Sequence, residues 1–164
     1  IDDFEKSKSI LNNFQKDDQI YQWYKIKKIA QIISIQKNDN LSIKYIEDNF
    51  KKISKPDSKM FYDLANLYRQ FKMYNKSIDN YNLILDRFQL DDLSKASILY
   101  RRGTSYERLG NYSASDKDLL NSLKLNYDEA YVLNYLAYNW LERNHKIVDA
   151  IDTVSYTHLR AHET

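Results

Sequence analysis

The chain has 164 residues, with 25 Lys and Arg against 23 Asp and Glu, a net charge of +2 and no cysteine. That length is enough for one domain with a real core; the missing cysteines exclude disulfides and thiolate metal sites, and so even a charge balance offers no basic excess for a nucleic-acid partner. Two Gly and one Pro in the whole chain are too few breakers for an all-β fold, so the prediction is all-α, helices joined by short connections.

In chain order, residues 2 to 15 read as a helix that Asp2 or Asp3 can cap, with Phe4, Ile10, Leu11 and Phe14 as its apolar stripe. Asp17 and Asp18 open a second helix, Gln19 to Gln36, whose apolar residues are Ile20, Tyr24, Ile26, Ile29, Ala30, Ile32, Ile33 and Ile35. Asn38, Asp39 and Asn40 form the turn to a partner helix, Leu41 to Ile53, which Lys55 and Pro56 end. Ser58 to Phe71 carries Phe61, Leu64, Ala65 and Tyr68, and its partner Tyr74 to Phe88 carries Ser77, Tyr81, Ile84 and Leu85. Asp91 and Asp92 cap a helix running to Leu109, where Gly110, Asn111 and Tyr112 break it, since Gly and Asn tolerate the left-handed conformation that ends a helix. Ser113 to Leu125 pairs with it. Asp128 starts the next helix, with Leu133, Leu136, Ala137 and Trp140; Asn144 and His145 turn the chain, and a last helix begins near Ile147.

These helices repeat. The small residues Ala30, Ala65, Gly103 and Ala137 fall in register at spacings of 35, 38 and 34, and three residues after each comes Ile33, Tyr68, Tyr106 or Trp140. In the second helix of each pair Ser42, Ser77 and Ser115 recur, followed four residues later by Ile46, Tyr81 and Leu119. Small residues mark where helix axes approach closely, and large ones fill the space beside them. Gly103 is therefore expected at a helix–helix contact.

The pattern resembles the tetratricopeptide repeat, a helix–turn–helix of about 34 residues. Phe61, Leu64, Ala65, Tyr68, Ser77 and Tyr81 match its signature in order and spacing; Leu99, Gly103, Tyr106, Tyr112, Ser115 and Leu119 match less fully, with Arg102 in place of the expected Leu. Leu133, Leu136, Ala137 and Trp140 match the first half of another unit. The resemblance implies an α-solenoid of stacked antiparallel helical hairpins, right-handed as in that family. It divides the chain into the second helix of a truncated repeat (1–16), a degenerate repeat (20–56), two fuller ones (57–91 and 92–129) and a truncated one (130–153).

Catalytic chemistry has little to stand on. His145 is the one histidine before Val154 and sits in a turn; the acidic pairs all precede helices, where capping and the helix dipole explain them. There is no Gly-rich phosphate loop and no nucleophile elbow. No catalytic, cofactor or metal residue is assigned. Lys25, Lys27 and Lys28 with Tyr21, Trp23 and Tyr24 mix charge with aromatics, a combination that can serve single-stranded nucleic acid. The simpler reading is a helix with a polar and a buried face, and no nucleic-acid partner is expected. No apolar run reaches the length of a membrane span.

What remains is the concave groove that the resemblance implies, lined by the first helix of each unit. Its positions include Tyr62, Asn66 and Arg69, then Arg101, Thr104 and Arg108, then Asn134 and Tyr138, with Lys59, Tyr100, Tyr131 and Tyr135 beside them. Arg and Tyr favour binding surfaces, as fork-shaped donors and rigid amphipathic rings. The terminal-carboxylate clamp of the chaperone-adaptor subfamily is not reproduced: Asn66 fits one of its places, and Tyr62, Arg101, Tyr131 and Tyr135 do not fit the others. The expectation is a non-catalytic protein- or peptide-binding scaffold segment of a larger bacterial protein, in the cytoplasm or the periplasm. The alternatives are the accessory repeat region of a transferase or peptidase whose catalytic domain lies elsewhere, and a structural spacer. The fifteen tyrosines argue less for binding than their number suggests, because Lys, Asn, Ile and Tyr, all with A+T-rich codons, are abundant together.

Residues 154 to 164, VSYTHLRAHET, call for a different explanation. His158, His162 and Glu163 have the spacing of metal ligands on one helix face. The stretch also resembles, at all eleven positions, one reading frame of a common transposase-based sequencing adapter. A tail of that origin is excluded from fold reasoning, and the native chain is then expected to continue after about Asp152.

Overall fold

The computed structural model describes residues 2–13, 18–36, 38–126, 129–146, 148–150 and 152; for residues 2–4 and 11–13 it describes the backbone alone. Eight helices follow one another: α1 (Asp2–Asn13), α2 (Gln19–Ile35), α3 (Asp39–Phe50), α4 (Ser58–Gln70), α5 (Tyr74–Arg87), α6 (Asp92–Arg108), α7 (Tyr112–Leu125) and α8 (Ala130–Glu142). Residues 148–150 begin a further helical turn, and no strand occurs among the described residues. The expectations placed on Phe14, Asp17, Asp128, Ile147 and the tail from 154 to 164 lie outside the described residues. Two compact units divide the chain, residues 1–60 and 61–164.

In the first unit α2 starts where the Asp18 carboxylate accepts a hydrogen bond from the Ile20 amide at 2.9 Å. Trp23, Ile26, Ile29, Ala30 and Ile33 are buried. They sit three and four residues apart on one side of the helix. That side holds Ile26, Ile29, Ala30 and Ile33 of the stripe expected from the sequence, which is too broad: Ile20, Tyr24 and Ile35 are exposed on the opposite side of the helical wheel. Trp23, grouped above with the lysines, belongs to the core, where its ring meets Phe50 of α3 edge-on at 5.2 Å. The Ser42 hydroxyl of α3 donates to the Ala30 carbonyl at 2.7 Å, so the two small residues meet where the helices are closest. Helix α3 ends at Phe50, three residues short of the expected Ile53. The Lys52 and Ile53 amides turn back onto the Asn49 and Phe50 carbonyls; this tightened turn brings Ile53 into the core as a non-helical residue.

In the second unit Ala65 of α4, Tyr81 and Ile84 of α5 and Ile98 of α6 form one core cluster, bordered by Phe61, Tyr62, Leu85, Phe88 and Leu90. A second cluster joins Leu119 of α7, Val132, Leu136, Ala137 and Trp140 of α8, and Ala150. Between them α6 and α7 approach at Gly103. A Cβ there would lie 3.2 Å from Asp118 Cβ, Leu119 Cγ and the Ser115 carbonyl oxygen, closer than side chains normally pack. Beside it Arg102 holds both oxygens of Asp118, through Nε at 2.6 Å and Nη2 at 2.8 Å, and its Nη1 donates to Asn82 of α5 at 2.7 Å. The residue that departs from the apolar pattern thus brings its own counter-charge and ties three helices together.

Three of the hairpin turns are built alike. Lys72, Gly110 and Asn144 have φ of 58°, 74° and 50°. The amide after each reaches back to the carbonyl of Tyr68, Tyr106 or Trp140 at 2.8–2.9 Å. This six-to-one bond closes the helix end in a Schellman turn. Asn111 then caps α7, its side chain accepting from the Ala114 amide at 3.3 Å, while Asp91 caps α6 through the Ser94 amide at 2.8 Å and the Ser94 hydroxyl at 2.7 Å.

Candidate functional site

Of the residues singled out for a groove, Lys59 falls in the first unit and the others in the second, on α4, α6 and α8, where Tyr62 and Arg101 meet directly. The Arg101 Nε of α6 donates to the Tyr62 hydroxyl of α4 at 2.5 Å, and its guanidinium lies over the Tyr62 ring at 5.5 Å from the centroid. The same hydroxyl is 3.2 Å from Ser97 Oγ. The Tyr62 ring packs against that of Tyr81, 6.3 Å between centroids, and the Tyr81 hydroxyl donates to Asn66 Oδ1 at 2.7 Å. Burial pushes the Tyr81 hydroxyl above its ordinary range, while the positive charges of Arg69 and Arg101 act in the opposite direction. Tyr62, Asn66, Arg69 and Arg101 therefore surround one phenol.

The surface continues to α8. Tyr100 meets Tyr131 edge-on at 4.8 Å and Tyr135 at 5.9 Å. The Tyr135 hydroxyl donates to Glu107 Oε2 at 2.8 Å, and burial, followed by that bond, raises its pKa well above the usual phenol value. Burial likewise raises Tyr131, with Arg101 acting against it. Arg108 sits beside Glu107 at 3.4 Å, its side chain largely in solvent and its pairing correspondingly weak.

The remaining expected residues are placed differently. Thr104 is 2% exposed, and its hydroxyl donates to the Arg101 carbonyl at 2.9 Å. It is a packing residue, because its hydroxyl closes onto the helix that carries it. Asn134 is half-buried and already engaged in an interaction. Tyr138 is exposed on α8. Two contributors were not expected: Tyr81, read from the sequence as packing alone, and Glu107, which anchors Tyr135. Neither carried a local signal, since each acts through a residue on another helix or repeat.

The arrangement offers guanidinium and phenol donors, rigid ring faces and one carboxylate. Among the described residues no group of three His, Cys, Asp or Glu side chains is placed to hold a metal ion. No helix among them is long and apolar enough to cross a membrane.

Helical hairpins in register, with small residues at their close contacts, define the class: an all-α solenoid of stacked antiparallel helix–turn–helix units of tetratricopeptide-like fold. Solved structures agree. The chain is similar to MamA from Desulfovibrio magneticus RS-1, with a TM-score of 0.74 at 10% identity, covering 98% of this chain and 87% of that one. It is similar to BtubC from P. vanneervenii, at 0.68 and 15% identity over 94% of this chain and 69% of that one. It also resembles a chain of the APC/C hetero-tetramer Cut9–Hcn1, at 0.63 and 17% identity over 85% of this chain and 26% of that one. At such identities the likeness is one of fold. No protein-family profile and no curated protein sequence matches the chain.

Proposed function

We propose that the chain is a non-catalytic protein- or peptide-binding scaffold segment of a larger bacterial protein, built of repeats at 20–56, 57–91, 92–129 and 130–153. Its ligand is held on the surface that Tyr62, Asn66, Arg69, Arg101, Arg108, Asn134 and Tyr138 share, with Thr104 packed beneath. The observation that carries the reading is two runs of contacts across helices, from Asn66 and Tyr81 through Tyr62 to Arg101, and from Tyr100 to Tyr131 and Tyr135. An open surface of rigid rings and arginines suits an extended chain more than a small enclosed substrate. That one structural neighbour was solved within a hetero-tetramer is in keeping with this. The test is photo-cross-linking in a bacterial lysate, with a reactive aromatic residue placed at Tyr138 or, as control, at exposed Lys117 of α7. Discrete protein adducts from position 138 and none from 117 are expected. Equal labelling at both positions would sink the reading. Residues 154–164 are part of the same proposal as a tail of adapter origin. Sequencing the underlying nucleotides from independent reads checks this, and codons unlike the adapter would refute it.

A further inference from the structure

Among the described residues, the arginines of the second unit other than exposed Arg87 fall into two groups. Arg102 pairs with Asp118 at 2.6 Å, Arg143 with Asp116 at 2.7 Å, and Arg108 stands beside Glu107 at 3.4 Å. Arg69 and Arg101 are half-buried, and among the described residues neither has a carboxylate partner. Arg101 spends its Nε on the Tyr62 phenol. The Nε of Arg69 is buried and has no hydrogen-bond partner at all. Both flank Tyr81, whose own hydroxyl is directed to Asn66. Two half-buried like charges close to one phenol, one with an idle buried donor, repel each other and remain incompletely solvated. A chain of net charge +2 has ample carboxylates to neutralise them, and does so at Arg102 and Arg143.

We propose that Arg69 and Arg101 receive a side-chain carboxylate of an acidic partner peptide, an extended segment carrying Glu or Asp. Their planar forks match a carboxylate two bonds at a time. The Tyr62 ring, over which the Arg101 guanidinium lies, gives the peptide backbone flat apolar contact. A phosphate chain fits less well: the cations beside Tyr81 are two, Arg69 and Arg101, and the Glu107 carboxylate on the same surface opposes a polyanion. The proposal rests on the binding surface described above and adds the charge of its ligand.

The experiment uses the full chain and labelled decapeptides of glutamate, glutamine and lysine, followed by fluorescence anisotropy at low and high salt. The glutamate peptide is expected to bind, more weakly at high salt, and the other two not. Arg69→Gln and Arg101→Gln should each weaken it about tenfold or more, whereas Arg87→Gln, an exposed arginine at the end of α5, should change nothing. Circular dichroism of each variant separates loss of binding from loss of fold. Equal binding of the glutamine peptide would overturn the acidic assignment and leave the binding surface standing. No binding of the glutamate peptide, or an oligothymidylate bound more tightly with the same arginine dependence, would also overturn it. Failure of the cross-linking at Tyr138 would remove the surface itself.

Discussion

The hairpins α2–α3 and α6–α7 solve the same problem with different chemistry. In both, a small residue of the first helix faces a buried serine of the second: Ala30 with Ser42, Gly103 with Ser115. In α2–α3 the hydroxyl of that serine bridges to the Ala30 carbonyl, and everything around it is apolar, from Trp23 on Phe50 to Ile26, Ile33 and Ile46. In α6–α7 the absence of a Cβ brings the helices together, and a bidentate ion pair between half-buried Arg102 and buried Asp118 sits beside the contact. Ser122 completes it by donating to the Ala96 carbonyl at 2.8 Å. The close approach is thus fixed by geometry, while the cohesion around it can be oily or ionic. An ionic clasp is also more exacting, because either partner alone is a liability.

That contrast sets the largest expected effect. Asp118→Ala leaves the half-buried Arg102 guanidinium without its carboxylate and should cost about 2–3 kcal/mol. Replacing both, Arg102→Leu with Asp118→Leu, should recover most of the loss. Urea unfolding of the single and double variants checks it, and equal destabilisation by both would mean the pair is not the clasp described. Next comes Gly103→Leu, which overpacks a site already at 3.2 Å from three atoms and should cost about 1–3 kcal/mol. An unchanged unfolding midpoint would refute the repeat register. Gly110→Ala separates shape from space: nothing lies within 4 Å of its missing Cβ, so only the left-handed backbone is penalised, at about 1–2 kcal/mol.

Ser42→Ala in the apolar hairpin should cost about 1 kcal/mol, the worth of one buried hydrogen bond; thermal melts would show it, and a larger loss would make α2–α3 as polar in character as α6–α7. The smallest effect concerns alkaline pH. Burial, followed by the bond to Glu107, raises the Tyr135 pKa in the folded state. That contribution is intact below the unfolded phenol value of about 10 and is lost as pH rises above it. Tyr135→Phe should flatten the alkaline fall in stability, and a fall of unchanged steepness would count against the burial.

What the sequence made legible were features that act over one or two helical turns. Asp18 and Asp91 announce helix starts, Gly110 and Asn111 a helix end, and Gly103 a close contact, because each is a local rule about backbone hydrogen bonds or side-chain size. What escaped depends on distant partners. Arg102 looks like a misplaced charge until Asp118, sixteen residues on, comes round on the next helix. Thr104 shares the polar type of its groove neighbours, but its hydroxyl is satisfied by its own helix. Trp23 could have been read correctly, since 23, 26, 30 and 33 trace one helical face; the nearby lysines drew attention to composition instead of periodicity. Register was enough to bring Tyr62 and Arg101 together, and nothing local revealed that Tyr81 would reach Asn66 or that Glu107 would hold Tyr135.

The Schellman turns at Lys72, Gly110 and Asn144 bear on how such a chain can change over time. Three residues as unlike as a long cation, a bare backbone and an amide occupy one backbone conformation, closed each time by the same amide-to-carbonyl bond. The joint is written in main-chain atoms, which every residue except proline supplies in full. Letters at these joints can drift with genomic base composition within the about 1–2 kcal/mol that a left-handed backbone costs a side chain, provided that prolines stay out and the small residues at the helix crossings stay small. A fold maintained in this way outlives the recognisable spelling of its sequence. A chain with one residue in ten in common with MamA can therefore superpose on it along nearly its whole length.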